Sequence, residues 1–115
     1  MGQTYAYAPV EDLILPQGIT LPKTYTVRDK NGAVVNVTGG AVRMTFRGRY
    51  GGTALLNCVC SVVSGPSGDV QCVAEAADTA AVTRARGVYD GEVELPSGDI
   101  YRFVEGAWNL SRGVS

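Results

Sequence analysis

Asp90, Glu92 and Glu94 are the residues most suggestive of chemistry, because acids two apart share one face of a β-strand and paired carboxylates can divide acid and base roles. Three acids at period two are also the simplest pattern for a solvated strand face, and that is the reading adopted here. Cys58, Cys60 and Cys72 are the next candidates. Zinc would need four ligands, yet the chain holds no histidine and no fourth thiol, so no metal is expected. Cys60 and Cys72 could face each other across a hairpin and form a disulfide. Synthesis in the cytosol instead favours three reduced thiols that act as small buried hydrophobes. The absence of histidine also removes the usual proton acceptor near neutral pH. Asp69 and Asp99 occupy turn positions where aspartate bonds its local backbone. Phosphate loops, dinucleotide fingerprints and EF-hand spacings are absent from the sequence, so neither an enzyme nor a cofactor is expected.

Other motifs carry little. Gly48-Arg49-Tyr50-Gly51-Gly52 has the arginine-glycine character of RNA-binding segments, but one copy in a near-neutral chain reads as a flexible turn. Asn36-Val37-Thr38 and Asn109-Leu110-Ser111 match glycosylation acceptors without a secretory signal to give them meaning. Ten basic residues against eleven acidic ones leave a formal charge of −1, too little positive field for general nucleic-acid binding. No stretch approaches the ~20 apolar residues that span a bilayer, and Met1 to Val10 has neither a basic nor an apolar leader region, so a soluble chain without membrane contact is expected.

The elements that must position these residues are short and numerous. At 115 residues the chain fits one domain, and its 15 glycines are about double the usual ~7% share, which implies many turns. Lys23 to Arg28 alternates with Tyr25 and Val27 on one face, Asp29-Lys30-Asn31-Gly32 supplies a turn, and Ala33 to Val37 is expected to return as its hairpin partner. Val42, Met44 and Phe46 share a face of the next strand. Ala54 to Ser64 reads as one strand, turned by Gly65 to Asp69 into Val70 to Ala74. Glu75 to Val82 has the only helical composition, about two turns of it. Gly87 to Leu95 and Ile100 to Ser111 close the chain as strands, the latter with Ile100, Val104, Trp108 and Leu110 at even positions. Turn signals every ~8–12 residues predict an all-β protein, an immunoglobulin-like antiparallel β-sandwich with one short helical turn, spanning residues 13–115. Tyr25, Val27, Val42, Met44, Phe46, Tyr89, Val93 and Trp108 share the inward parity of their strands and form the expected core.

Residues 1–12 are read as an extended arm. A free terminus ordinarily carries small polar residues, whereas this one holds Tyr5, Tyr7, Pro9 and Val10 with no charge before Glu11. Tyrosine offers large contact area for little lost rotamer entropy and proline keeps the chain extended, so these four residues are candidates for docking on a partner.

Gly18 to Asp29 with Asn31-Gly32, followed by Val37-Thr38-Gly39-Gly40 and the strand Ala41 to Arg47, resembles the N-terminal domain of phage baseplate upper proteins. Gly68-Asp69-Val70, Asp78-Thr79, Gly87-Val88-Tyr89-Asp90 and the closing Glu105 to Ser111 extend the resemblance over residues 13–114. It implies a virion structural subunit of tail, baseplate or neck, present in several copies or as a homo-oligomer and partnered by other virion proteins, with no catalytic residues. Those family members continue into long C-terminal regions that hold receptor-binding proteins, and a sequence ending at Ser115 favours a stand-alone adaptor or a capsid decoration protein. A carbohydrate- or peptide-binding module, using a loop aromatic such as Tyr50 as platform, is the reading from a different class.

Overall fold

The computed structural model describes the backbone of residues 4–5 and all of residues 9–112. The strands are β1 (Thr4–Tyr5), β2 (Leu13–Pro16), β3 (Leu21–Thr26), β4 (Ala41–Arg47), β5 (Ala54–Asn57), β6 (Val59–Ser64), β7 (Asp69–Ala74), β8 (Arg86–Glu94) and β9 (Ile100–Ser111), with one short helix, α1 (Ala76–Ala80), before β8. They form two facing sheets. One runs β1-β9-β8-β4-β5, with β2 also on β9; the other is β3-β7-β6. This arrangement is a β-sandwich with one short helix, and its strand order follows the immunoglobulin-like plan. Among the described residues no helix is long and apolar enough to cross a membrane.

Three local expectations are corrected. The sandwich is not wholly antiparallel, because β1 and β2 both run parallel to β9. Residues 33–37 do not form the partner of β3. The turn at Asp29–Gly32 forms, but beyond it only Arg28 and Val34 bridge, and β3 pairs with β7 from Leu21↔Ala74 to Thr26↔Asp69. A strand buried on one face gains more from a central neighbour than from a five-residue return, so the long-range pairing wins over the local one. Ala54 to Ser64 is two strands rather than one. The chain breaks at Cys58, whose N–H donates to Met44 O at 2.9 Å, and crosses there from the first sheet to the second.

The core contains Val27, Met44, Phe46, Tyr89, Val93 and Trp108 as expected, while Tyr25 and Val42 are only partly buried against it. Leu13, Leu15, Val37, Leu56, Val70, Cys72, Phe103 and Val104 join them. Its centre is aromatic: Phe46 stacks on Tyr89 at 5.1 Å between ring centroids and meets Trp108 edge-on at 6.2 Å. The indole Nε1 donates to Arg47 O at 3.0 Å and Val88 O at 3.1 Å. Gly87 makes this possible, since a Cβ there would stand 2.0 Å from Arg47 O and 2.7 Å from Nε1. Phe103 and Val104 have opposite parity yet both are buried. The ladder between β8 and β9 slips between Gly91 and Glu92, leaving Phe103 as the extra residue, with its ring 5.3 Å from that of Tyr25.

Phe46→Ala should therefore lower the stability read from chemical denaturation by about 3–5 kcal/mol, because it opens a cavity at the junction of two aromatic rings. A loss under about 1 kcal/mol would mean that the site collapses around the smaller side chain.

Candidate interaction surface

Residues 4–5 and 9–16 lie along β9 as parallel edge segments. Thr4 and Tyr5 pair with Ile100 and Tyr101, Val10 bridges Glu105, and Leu13 to Pro16 pair with Trp108 to Ser111, the register slipping by a single residue between Tyr5 and Val10. Glu105 N–H donates to Pro9 O at 3.2 Å and Glu11 N–H to Glu105 O at 2.9 Å. Gly106 permits this approach, because a Cβ there would meet Glu11 O at 2.1 Å. At these positions the segment read as an arm is docked on its own sheet.

Glu11 ties this edge to both sheets. Its carboxylate accepts from Tyr25 Oη at 2.9 Å and from Lys23 Nζ at 3.3 Å, both on β3, while Tyr89 Oη on β8 donates to the Glu11 carbonyl. Burial, together with the bond to Glu11, holds the Tyr25 phenol above its ordinary range. Burial and the charge of Glu11 do the same for Tyr89. Both therefore remain neutral donors. Asp12 adds a clamp by accepting from Ala107 N–H at 3.2 Å.

Of the four docking candidates, Tyr7 lies outside the described residues and Tyr5 is placed by its backbone alone. Pro9 is exposed, and Val10 stands 76% exposed. Sequence reading missed Ile14, 67% exposed between core residues Leu13 and Leu15. The period-two rule carried that signal, which is hidden when Leu13-Ile14-Leu15 is read as a single apolar block. Pro9, Val10 and Ile14 thus follow one another along an open sheet edge. Behind Pro9 a groove of about 230 Å³ is lined also by Thr26, Arg28, Asp29, Gly32 and Phe103.

The acidic row is not simply solvated. Asp90 and Glu92 are half-buried, and together with Glu94 they interleave with arginines from neighbouring strands: Arg43 meets Glu92 at 3.1 Å and Glu94 at 3.4 Å, Arg47 meets Asp90 at 3.5 Å, and Arg102 meets Glu92 at 3.0 Å and Asp90 at 3.6 Å. The hollow among Arg43, Thr45, Arg47, Asp90 and Glu92 measures about 70 Å³, room for water rather than for a substrate. Burial, with Glu92 beside it, raises the pKa of Asp90 above its ordinary value despite its arginines. Asp69 also departs from expectation, accepting from Thr26 Oγ1 across the ladder at 2.8 Å instead of capping its own turn.

Cys60 and Cys72 are direct cross-strand partners, as the hairpin reading required, and all three cysteines are free thiols. Burial pushes Cys58 up to about 12. The hydrogen bond between Cys60 and Cys72 lowers the first thiol and raises the second, so Cys60 ionises first. Gly48 to Gly52 forms a turn closed by Gly52 N–H on Arg49 O at 3.0 Å, with Tyr50 projecting into solvent.

No protein-family model matches the chain, and no curated protein matches it. Among solved structures it is similar to the internalin-like protein lmo2027 of Listeria monocytogenes, at a TM-score of 0.41 and 14% identity, over 95% of this chain and 30% of that one.

Two outcomes follow from the geometry. An aspartate whose folded pKa is raised costs stability above that pKa and costs nothing once it is protonated in both states, below about pH 3. Asp90→Asn should therefore raise the urea midpoint at pH 7 and leave it unchanged near pH 3; a lowered midpoint at pH 7 would mean that the arginine contacts outweigh burial. In the native protein at about pH 8, where an ordinary thiol is partly ionised, iodoacetamide should label Cys60 first and Cys72 only after unfolding. Peptide mass spectrometry reads that order.

Proposed function

We propose that this chain is a structural subunit of a bacteriophage particle, a β-sandwich adaptor of tail, baseplate or neck that works by holding neighbouring virion proteins. Two things support the reading. The resemblance of residues 13–114 to the N-terminal domain of phage baseplate upper proteins supplies the setting. The observation that carries the mode of action is the N-terminal edge, where Val10 and Ile14 project outward from a strand that Glu11, Leu13 and Leu15 hold rigidly to the domain.

Physically, such an edge is prepared for docking. Its inward residues are already buried, so its backbone entropy is lost on folding and not on binding, and a partner strand or apolar ridge meets preformed contacts. The unpaired backbone groups along the outer side of a sheet edge add directional hydrogen bonds.

The test is a particle. Mass spectrometry of purified virions should find the chain, in tens of copies or fewer for a tail part and in hundreds for a head decoration protein. A Val10→Asp, Ile14→Asp double variant should fold with a melting temperature near that of the parent, since both side chains face solvent, and should be missing from assembled particles. Normal incorporation of the variant would overturn docking through this edge, and absence of the parent chain from virions would overturn the structural role itself.

A further inference from the structure

From Tyr50 to Gly68 the chain carries no charged residue, the longest such stretch it contains. This stretch builds one whole side of the sandwich. It includes β5, the outer strand of the larger sheet, and β6, an outer strand of the smaller one, joined directly through Cys58. At the opposite side the chain lays its own residues 4–5 and 9–16 along β9. β6 ends the smaller sheet, and among the described residues its one strand partner is β7.

Natural sheet edges are ordinarily protected by lysine, proline or inward-pointing charge, because a bare edge templates another strand. Val59-Cys60-Ser61-Val62-Val63-Ser64 carries no charge and no proline, and its one protective feature is the bulge at Val63. Val59 is 57% exposed and Val63, the extra residue where the β6–β7 ladder slips, is 60% exposed. Leu55 on β5 continues the apolar surface.

We infer that β6 is the site at which two copies of this chain pair, edge to edge and antiparallel, about a two-fold axis through Ser61. This goes beyond the proposed role in a particle and uses a different side of the molecule. Charge decides the occupant. Elsewhere the outward rows of β4, β8 and β9 are charged, with Arg43, Arg47, Asp90, Glu92, Arg102 and Glu105. A partner presenting charges of either sign to β6 would strip their water against a surface that offers no counter-charge. A second copy of the same edge presents none. The pattern is also self-complementary: centred on Ser61, an antiparallel pair sets Val59 opposite the second copy's Val63 and Ser61 opposite its equivalent, with every outward residue meeting an outward residue. The two small sheets then join as β3-β7-β6-β6-β7-β3.

Sedimentation velocity of the full chain from about 10 µM to about 1 mM should show a concentration-dependent dimer, and hydrogen exchange at the amides of residues 59–64 should slow as the dimer forms. Ser61→Lys, which places like charges face to face on the axis, should leave a folded monomer. Thr24→Lys, exposed on β3 away from that edge, should leave the dimer intact, as should the Val10→Asp, Ile14→Asp pair. A chain that stays monomeric throughout overturns the inference. So does a dimer that tolerates Ser61→Lys, or one that forms without protecting these amides. Each of those results leaves incorporation into particles, measured separately, unaffected.

Discussion

The attachment of residues 9–16 to β9 is the constraint on which this domain turns. A parallel strand cannot be delivered by a tight hairpin, so its stability depends on side-chain anchors and not on connectivity. Leu13 and Leu15 supply the apolar anchor, and Glu11 the polar one, reaching Tyr25 and Lys23 of one sheet while its carbonyl receives Tyr89 of the other. The sandwich is thus closed along one side by a bond network that spans both layers. Gly106 is required by that closure, as Gly87 is by the seating of Trp108.

The consequence is a molecule with unlike sides. One is covered by the chain's own N-terminal run. The sheet face between β4 and β9 carries alternating ion pairs, which keep a broad surface hydrated and unsuited to apolar association. The β5–β6 side is bare of charge. Among the described residues no buried side-chain nitrogen or oxygen lacks a hydrogen-bond partner. A rigid scaffold with open edges suits assembly, because docking then spends little entropy on ordering the chain.

Much of this architecture was legible in the residues. Alternation placed β4, β8 and β9, turn chemistry placed Asp29–Gly32, Gly65–Asp69 and Pro96–Asp99, and the hairpin reading set Cys60 opposite Cys72. Of the surface, Pro9 and Val10 are exposed, while the exposure of Ile14 was masked by its apolar neighbours and the acidic row concealed the arginines that pair with it.

By itself, then, the sequence determined the local terms: which residues extend, where the chain turns, and which face of each strand is apolar, since period, glycine placement and β-branching act over a few residues. Only tertiary structure decided the partners. Whether β3 pairs with residues 33–37 or with β7, whether residues 54–64 stay in one sheet or cross at Cys58, and whether the N-terminal run floats free or lies on β9 depend on which long-range contact buries more surface around Phe46, Tyr89 and Trp108. Strand pairing is a competition among distant segments of similar local preference, and its outcome is set by the shared core they must fill together.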